Sequence, residues 1–185
     1  MPGQVPRLPA AVIVAAVGLF AASPAIAGAD HGSSTGTLVR YSPAIPQDAT
    51  ARVWATYDSA GDTHVTLHVK GLKPNTEYGA HAHVNRCGLD PLAAGGHFQH
   101  VPAPPGHAND PAYANADNEI WLDLETNAAG NGVAVGTVEW QFAPGVAPKA
   151  VVIHEQPTST APGSAGTAGA RLACLDVDFL PGTRE

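Results

Sequence analysis

His64-Val65-Thr66-Leu67-His68-Val69-Lys70 alternates polar and apolar residues without a break. Side chains two apart on a β-strand lie on the same face of a sheet, so this pattern predicts a strand whose valines and leucine face a core. The preceding segment, residues 52–57, predicts its hairpin partner across a turn formed by residues 58–62. Because helical periodicity is almost absent elsewhere, the sequence predicts an all-β fold.

Further short segments have strand character, and turn-forming residues separate several of them. The predicted strands are 38–41, 77–83, 119–126, 133–142, 149–154 and 172–179. Seven or eight short strands indicate an antiparallel sandwich or barrel. Two long irregular segments, 86–118 and 155–170, interrupt the pattern, and loops of this length in a compact domain are usually functional or disordered. Histidines and a cysteine in the first segment favour function.

The N-terminal 27 residues resemble an export signal. Arg7 precedes an uncharged apolar core, and Ala25-Ile26-Ala27 has the small-x-small form of a cleavage site. We therefore predict a signal peptide over 1–27, a disordered lead-in over 28–36 and a single domain over 37–185. The protein is expected to be exported, as a secreted, periplasmic or cell-envelope protein, with no membrane attachment after cleavage.

Charge and cysteine content limit the possible partners and compartments. The net charge is −7 at pH 7, and removal of Arg7 makes it one unit more negative, which argues against nucleic acid as a partner. Two cysteines in an exported chain are expected to pair, so we predict a Cys87–Cys174 disulfide rather than two buried free thiols. In the chain-entropy model, a disulfide that closes a loop of this length stabilises the folded state by roughly 4–5 kcal/mol. Nothing in the sequence distinguishes a monomer from an oligomer.

Histidines occur in a pattern typical of a metal site. His81 and His83 are two apart on a predicted strand, and their imidazoles therefore point to the same side. His154 ends an apolar strand, and His97 follows two glycines in a loop. Imidazole donors at this density suit copper or zinc. Arg171, close to the second cysteine, adds attraction for a small anion.

Several motifs together carry a resemblance to a known family. Gly79-Ala80-His81-Ala82-His83, Cys87, Gly95-Gly96-His97-Phe98, Val151-Val152-Ile153-His154-Glu155 and Gly166-Thr167-Ala168-Gly169-Ala170-Arg171-Leu172-Ala173-Cys174 resemble, in the same order, the signatures of copper/zinc superoxide dismutases. The resemblance implies an eight-stranded Greek-key barrel or sandwich with two functional loops, and conversion of superoxide to oxygen and hydrogen peroxide. It makes His81, His83, His97 and His154 copper ligands. His97 and Arg171 would be catalytic, the first exchanging copper for a proton and the second holding superoxide.

Zinc is where the sequence departs from the family pattern. His97, His100, His107 and Asp110 form a possible zinc set, with three nitrogens and one oxygen. However, the family's Leu-Gly-Asn does not follow the His-x-x-Asp spacing. Glu119 and Asp123 lie near the position of the family's zinc aspartate, and a carboxylate there can orient His97 without zinc. We expect copper without a family-type zinc site.

Two other functions remain compatible with the sequence. Between His154 and Arg171 the only charged residue is Glu155, so the cations that steer superoxide in the family are missing from this loop. A copper buffer or chaperone on the same barrel, without useful turnover, is therefore the main alternative. A sandwich used only for adhesion is the third, although it has no need for four convergent histidines.

Overall fold

The structure is a computed structural model, and it describes residues 31–180. The predicted signal peptide lies outside the described residues. Ten short strands form: β1 His31–Thr37, β2 Val39–Arg40, β3 Thr50–Tyr57, β4 Thr63–Lys70, β5 Glu77–Tyr78, β6 Ala80–His83, β7 Leu124–Glu125, β8 Gly132–Val138, β9 Ala150–His154 and β10 Arg171–Asp176. In this part of the chain, no helix is long and apolar enough to cross a bilayer.

The first sheet contains the alternating strand from which the fold was predicted. Its order is β1-β3-β4-β8, and every neighbouring pair is antiparallel. In β4, Val65, Leu67 and Val69 are buried while the intervening residues are partly exposed, as the alternation predicts. The β3–β4 hairpin is also confirmed, with Val53 opposite Leu67 in the ladder.

The second sheet has the order β2-β10-β9-β6, and β5 and β7 form a small separate ladder. Apolar residues of both four-stranded sheets meet in one core, which includes Val53 and Leu67 from the first sheet and Ile153 and Ala173 from the second. The chain crosses repeatedly between the sheets, so the eight strands of the two sheets form the predicted Greek-key sandwich. Within residues 31–180 no ladder joins one four-stranded sheet to the other, so the sandwich is not a closed barrel.

The prediction of a disordered lead-in over 28–36 is wrong from residue 31 onward. Strand β1 begins at His31 and pairs with β3 along its full length. Its more buried positions are the small residues Gly32, Ser34 and Gly36, alternating with more exposed ones. A Cβ atom at Gly32 would collide with the backbone of Phe179, so the strand packs too closely for large apolar side chains.

Both faces of the second sheet are buried, which is unusual for an antiparallel sheet. All five residues of β9 are buried: Val151 and Ile153 belong to the central core, while Ala150 and Val152 pack on the opposite face. That opposite face is covered by the predicted Cys87–Cys174 disulfide, which is present with an S–S distance of 2.04 Å. The long loops therefore lie over this second face.

Candidate metal centre

The strand register brings three histidines to the loop-covered face of the second sheet. In the β6–β9 ladder His81 lies opposite Val152 and His83 lies opposite Ala150. His154 follows Val152 by two residues, so it shares that face. The alternate residues of β6, Ala80 and Ala82, are in the central core.

His97 reaches the same point from the first long loop. Gly95 has a φ of 73°, and this left-handed turn directs the chain back along the edge of β6. There the backbone N–H of Phe98 donates to the carbonyl of Ala82 at 2.9 Å, and His97 forms an isolated bridge with His83. The His97 ring centroid lies 4.1 Å from that of His81 and 4.9 Å from that of His83.

The four imidazoles converge, and the nitrogens that they turn inward lack partners. One ligand atom from each of His81, His83, His97 and His154 lies within 4.8 Å of every other. Nδ1 of His81, Nε2 of His83 and the ring nitrogens of His154 are buried without a hydrogen-bond partner in the described chain. Buried polar atoms are normally paired, so this donor set fits a bound metal ion, and its nitrogen chemistry fits copper.

The outward-facing nitrogens of three of these rings do have partners. Nδ1 of His83 lies 3.0 Å from the carbonyl oxygen of Gly95, and Nδ1 of His97 lies 2.7 Å from Glu119 Oε2. Nε2 of His81 lies 2.6 Å from the Thr158 hydroxyl. Such contacts fix ring orientation and tautomer at metal sites.

Burial keeps three of the four imidazoles neutral, those of His81, His83 and His154. Burial, followed by the proximity of His97, lowers the pKa of His81 well below its usual value, and the same two causes lower the pKa of His83 to about 2. Burial also lowers the pKa of His154 to about 4. A neutral imidazole has a lone pair to give to a metal, so these three histidines are in the metal-binding form at neutral pH.

Glu119 is a buried carboxylate that three side chains engage. It is 1% exposed and accepts hydrogen bonds from His97 Nδ1, from Gln99 Nε2 at 2.8 Å and from Trp121 Nε1 at 2.7 Å. Asp123 lies near His81 instead. It does not contact His97 but accepts from Thr158, and one of its oxygens is 4.0 Å from His81 Nε2.

The structure does not assemble the possible zinc set. His100 stacks on Trp140 with ring centroids 4.7 Å apart, and Nδ1 of His97 is engaged by Glu119. His107 and Asp110 do form a pair at 3.5 Å, but both are exposed. Among residues 31–180, the other cluster of three or more potential ligands lies in the exposed β3–β4 hairpin, at Asp58, Asp62 and His64.

A β-bulge places Arg171 beside the histidines. The register of β10 against β9 shifts between Arg171 and Ala173, so that Arg171 lies opposite His154. Two backbone carbonyls hold its guanidinium, Pro91 at 2.9 Å and Gly95 at 2.7 Å. Arg171, His97 and His154 line an open cavity of about 520 Å³, through which a small anion can reach this side of the centre, whereas His81 and His83 are fully buried.

Three residues of the site were not predicted from the sequence: Thr158, Gln99 and Trp121. Thr158 lies in a loop of small and polar residues, where one threonine has no distinguishing feature. Gln99 and Trp121 are each two residues from a predicted site residue. In an extended chain, residues two apart lie on the same face, so this spacing could have indicated that Gln99 lies beside His97 and Trp121 beside Glu119.

An antiparallel sandwich that gathers four imidazoles, three of them buried, beside an open cavity lined by an arginine has the donor set of a metal-binding protein. The chain belongs to the copper/zinc superoxide dismutase family, which it matches over residues 49–175. Among solved structures, it is similar to a Cu/Zn superoxide dismutase from Brucella abortus, at 23% identity and a TM-score of 0.55, covering 78% of this chain and 98% of that one. It is also similar to the clock protein EA4, at 20% identity and a TM-score of 0.56, covering 82% and 96%. No curated protein matches the chain.

Proposed function

We propose that the protein is an exported superoxide dismutase with a four-histidine copper centre. The observation that carries this proposal is the convergence of His81, His83, His97 and His154, three of which have buried ring nitrogens without a hydrogen-bond partner in the described chain. Family membership supports the same activity. The disulfide supports export, since such bonds persist in oxidising compartments, and a signal peptide over 1–27 remains part of the proposal.

His81, His83, His97 and His154 would hold copper, which would supply one-electron redox chemistry for the overall conversion of two superoxide ions and two protons to oxygen and hydrogen peroxide. Arg171 would hold the substrate anion by charge-assisted hydrogen bonds from its remaining N–H groups, since Pro91 and Gly95 already fix the plane of the guanidinium. His97 Nε2 is the nitrogen free to bind metal or take up a proton, because Glu119 engages Nδ1.

We further propose that this site functions without a family-type zinc ion. The Glu119 carboxylate lies at the nitrogen of His97 that would otherwise face zinc, and it is held there by Gln99 and Trp121. Its contact with Nδ1 supplies the orientation that a second metal would provide. His100, His107 and Asp110 then have no role in the metal centre.

The decisive experiment measures copper, zinc and dismutation in one preparation of the mature protein. We expect one copper per chain, little zinc and a measurable rate. His83→Ala and His154→Ala should each abolish copper retention and activity. His68→Ala is the matched control, because His68 lies on the outer face of β4 against Trp54 and belongs to neither cluster of potential ligands. Retention of copper and activity by both site variants would refute the assignment.

A copper buffer or chaperone is the second candidate, favoured by one observation. The segment 155–170, over the centre, contributes Glu155 but no cation, so long-range attraction of superoxide is weak. The same preparation separates the two functions, since a buffer binds copper at the same histidines but turns over little superoxide.

A further inference from the structure

We propose that Thr158, backed by Asp123, is a positioning residue that fixes the ring proton of His81 on Nε2 and so turns the Nδ1 lone pair toward the metal. This inference rests on the proposed copper function for its significance. The hydrogen-bond chain itself lies within the protein, and it can be tested without turnover.

The chain of contacts is short and continuous. His81 Nε2 lies 2.6 Å from Thr158 Oγ1, and the same hydroxyl lies 2.6 Å from Asp123 Oδ1. Asp123 itself lies 4.0 Å from His81 Nε2, which is beyond hydrogen-bond distance. The threonine hydroxyl is therefore the link through which the carboxylate acts on the imidazole.

The proton positions follow from the chemistry of the three groups. A carboxylate only accepts hydrogen bonds, so the single Thr158 hydroxyl proton must point to Asp123. The oxygen of Thr158 is then an acceptor toward the ring, and His81 must donate to it from Nε2. A neutral imidazole has one ring proton, which leaves Nδ1 with a lone pair. Nδ1 is the buried atom that has no partner in the described chain.

Thr158 is held in place independently of its hydroxyl. Its backbone N–H donates to Asp123 Oδ2 at 2.7 Å. On either side of it, Gln156 N donates to the carbonyl of Ala168 and Ser159 N donates to that of Thr167, both within the loop. Removing the hydroxyl should therefore leave the loop folded, so that an effect on His81 can be separated from a loss of structure.

The test compares Thr158→Val, which removes the hydroxyl at nearly constant shape, with Thr158→Ser, which keeps it. The first readout is the His81 tautomer in the metal-free mature protein, from ¹⁵N–¹H correlation spectra of the imidazoles, with the signal assigned by His81→Gln. The second is copper(II) affinity, measured by competition with a chelator. We expect the Nε2–H tautomer in the wild type and in Thr158→Ser. In Thr158→Val the Nδ1–H form should appear and copper affinity should fall at least about tenfold.

Two results would overturn the proposal: an Nδ1–H tautomer in the wild type, or a Thr158→Val protein whose tautomer and copper affinity match those of Thr158→Ser. Thr158→Ala serves as a second variant if Thr158→Val is poorly folded, as judged by thermal unfolding. Because neither readout involves superoxide, a wild type without dismutase activity would refute the proposed function while leaving this result to stand or fall separately.

Discussion

Replacing both Cys87 and Cys174 with alanine removes the covalent link between the first long loop and strand β10. The two cysteines are 87 residues apart. For a closed loop of that size, the chain-entropy model gives a stabilisation of about 4.6 kcal/mol at 25 °C, as an upper value. With an m-value of about 2 kcal/mol/M, the urea midpoint should fall by up to about 2 M.

The substitution should also impair activity in protein that remains folded. The loop tethered by Cys87 supplies the carbonyls of Pro91 and Gly95 that hold Arg171. Gly95 also orients His83. Loss of the tether should therefore lower both the dismutation rate and copper affinity, measured at urea concentrations where circular dichroism shows a native fold.

Reductant provides the control for this prediction. Metal-free wild-type protein treated with reductant should reproduce the urea midpoint of the metal-free double variant, and the midpoint of the double variant should not respond to reductant. The reasoning is refuted if the double variant loses less than about 1 kcal/mol of stability and keeps the wild-type rate.

Three further predictions concern other parts of the molecule. Arg171→Ala should lower the second-order rate about tenfold, equivalent to about 1.4 kcal/mol. The wild-type rate should depend only weakly on salt concentration, because one guiding charge close to the site acts within a Debye length of about 10 Å at 0.1 M. Stopped-flow kinetics from low to high salt test this. A steep decline of the rate in both the wild type and Arg171→Ala would contradict it. Glu119→Gln should reduce activity and copper affinity more than His107→Ala does, and stoichiometric zinc that disappears in His107→Ala would reverse the zinc proposal. Burial raises the pKa of Tyr57 to about 12. Folding thus favours the neutral phenol, and this contribution is lost as pH rises from about 10 to 12. Urea unfolding across that range should show a smaller loss in Tyr57→Phe than in the wild type, because Tyr41 and Tyr78, whose pKa values burial also raises, remain in the variant.

The strands that the sequence predicts well are those with apolar side chains on one face. In β4 the alternation is complete, because Val65, Leu67 and Val69 fill the core and their neighbours meet solvent. Strand β1 also alternates in exposure, but its inward positions hold glycine and serine. A hydrophobicity pattern does not detect a strand whose inward-facing residues are all small. The close approach of the Phe179 backbone explains why these residues are small in β1.

Three of the four clustered histidines could be predicted from the sequence for a similar reason. His81 and His83 have the strand period, and His154 ends a recognisable strand, so local rules place them on one side. The partners of their outward nitrogens are different. Thr158 and Gly95 reach the centre only through the tertiary path of the two long loops, and no periodicity in those loops indicates which residues come back to the site.

The Gly95 carbonyl has a consequence for how this centre can be altered. This one backbone oxygen accepts from His83 Nδ1 at 3.0 Å and from the Arg171 guanidinium at 2.7 Å. A side chain at Gly95 would strike Val84 and Asn85, and the positive φ disfavours other residues there. The orientation of His83 and that of Arg171 are therefore coupled through a backbone atom, which a side-chain substitution cannot remove. Remodelling the loop backbone is the available route, and it would change both orientations at once.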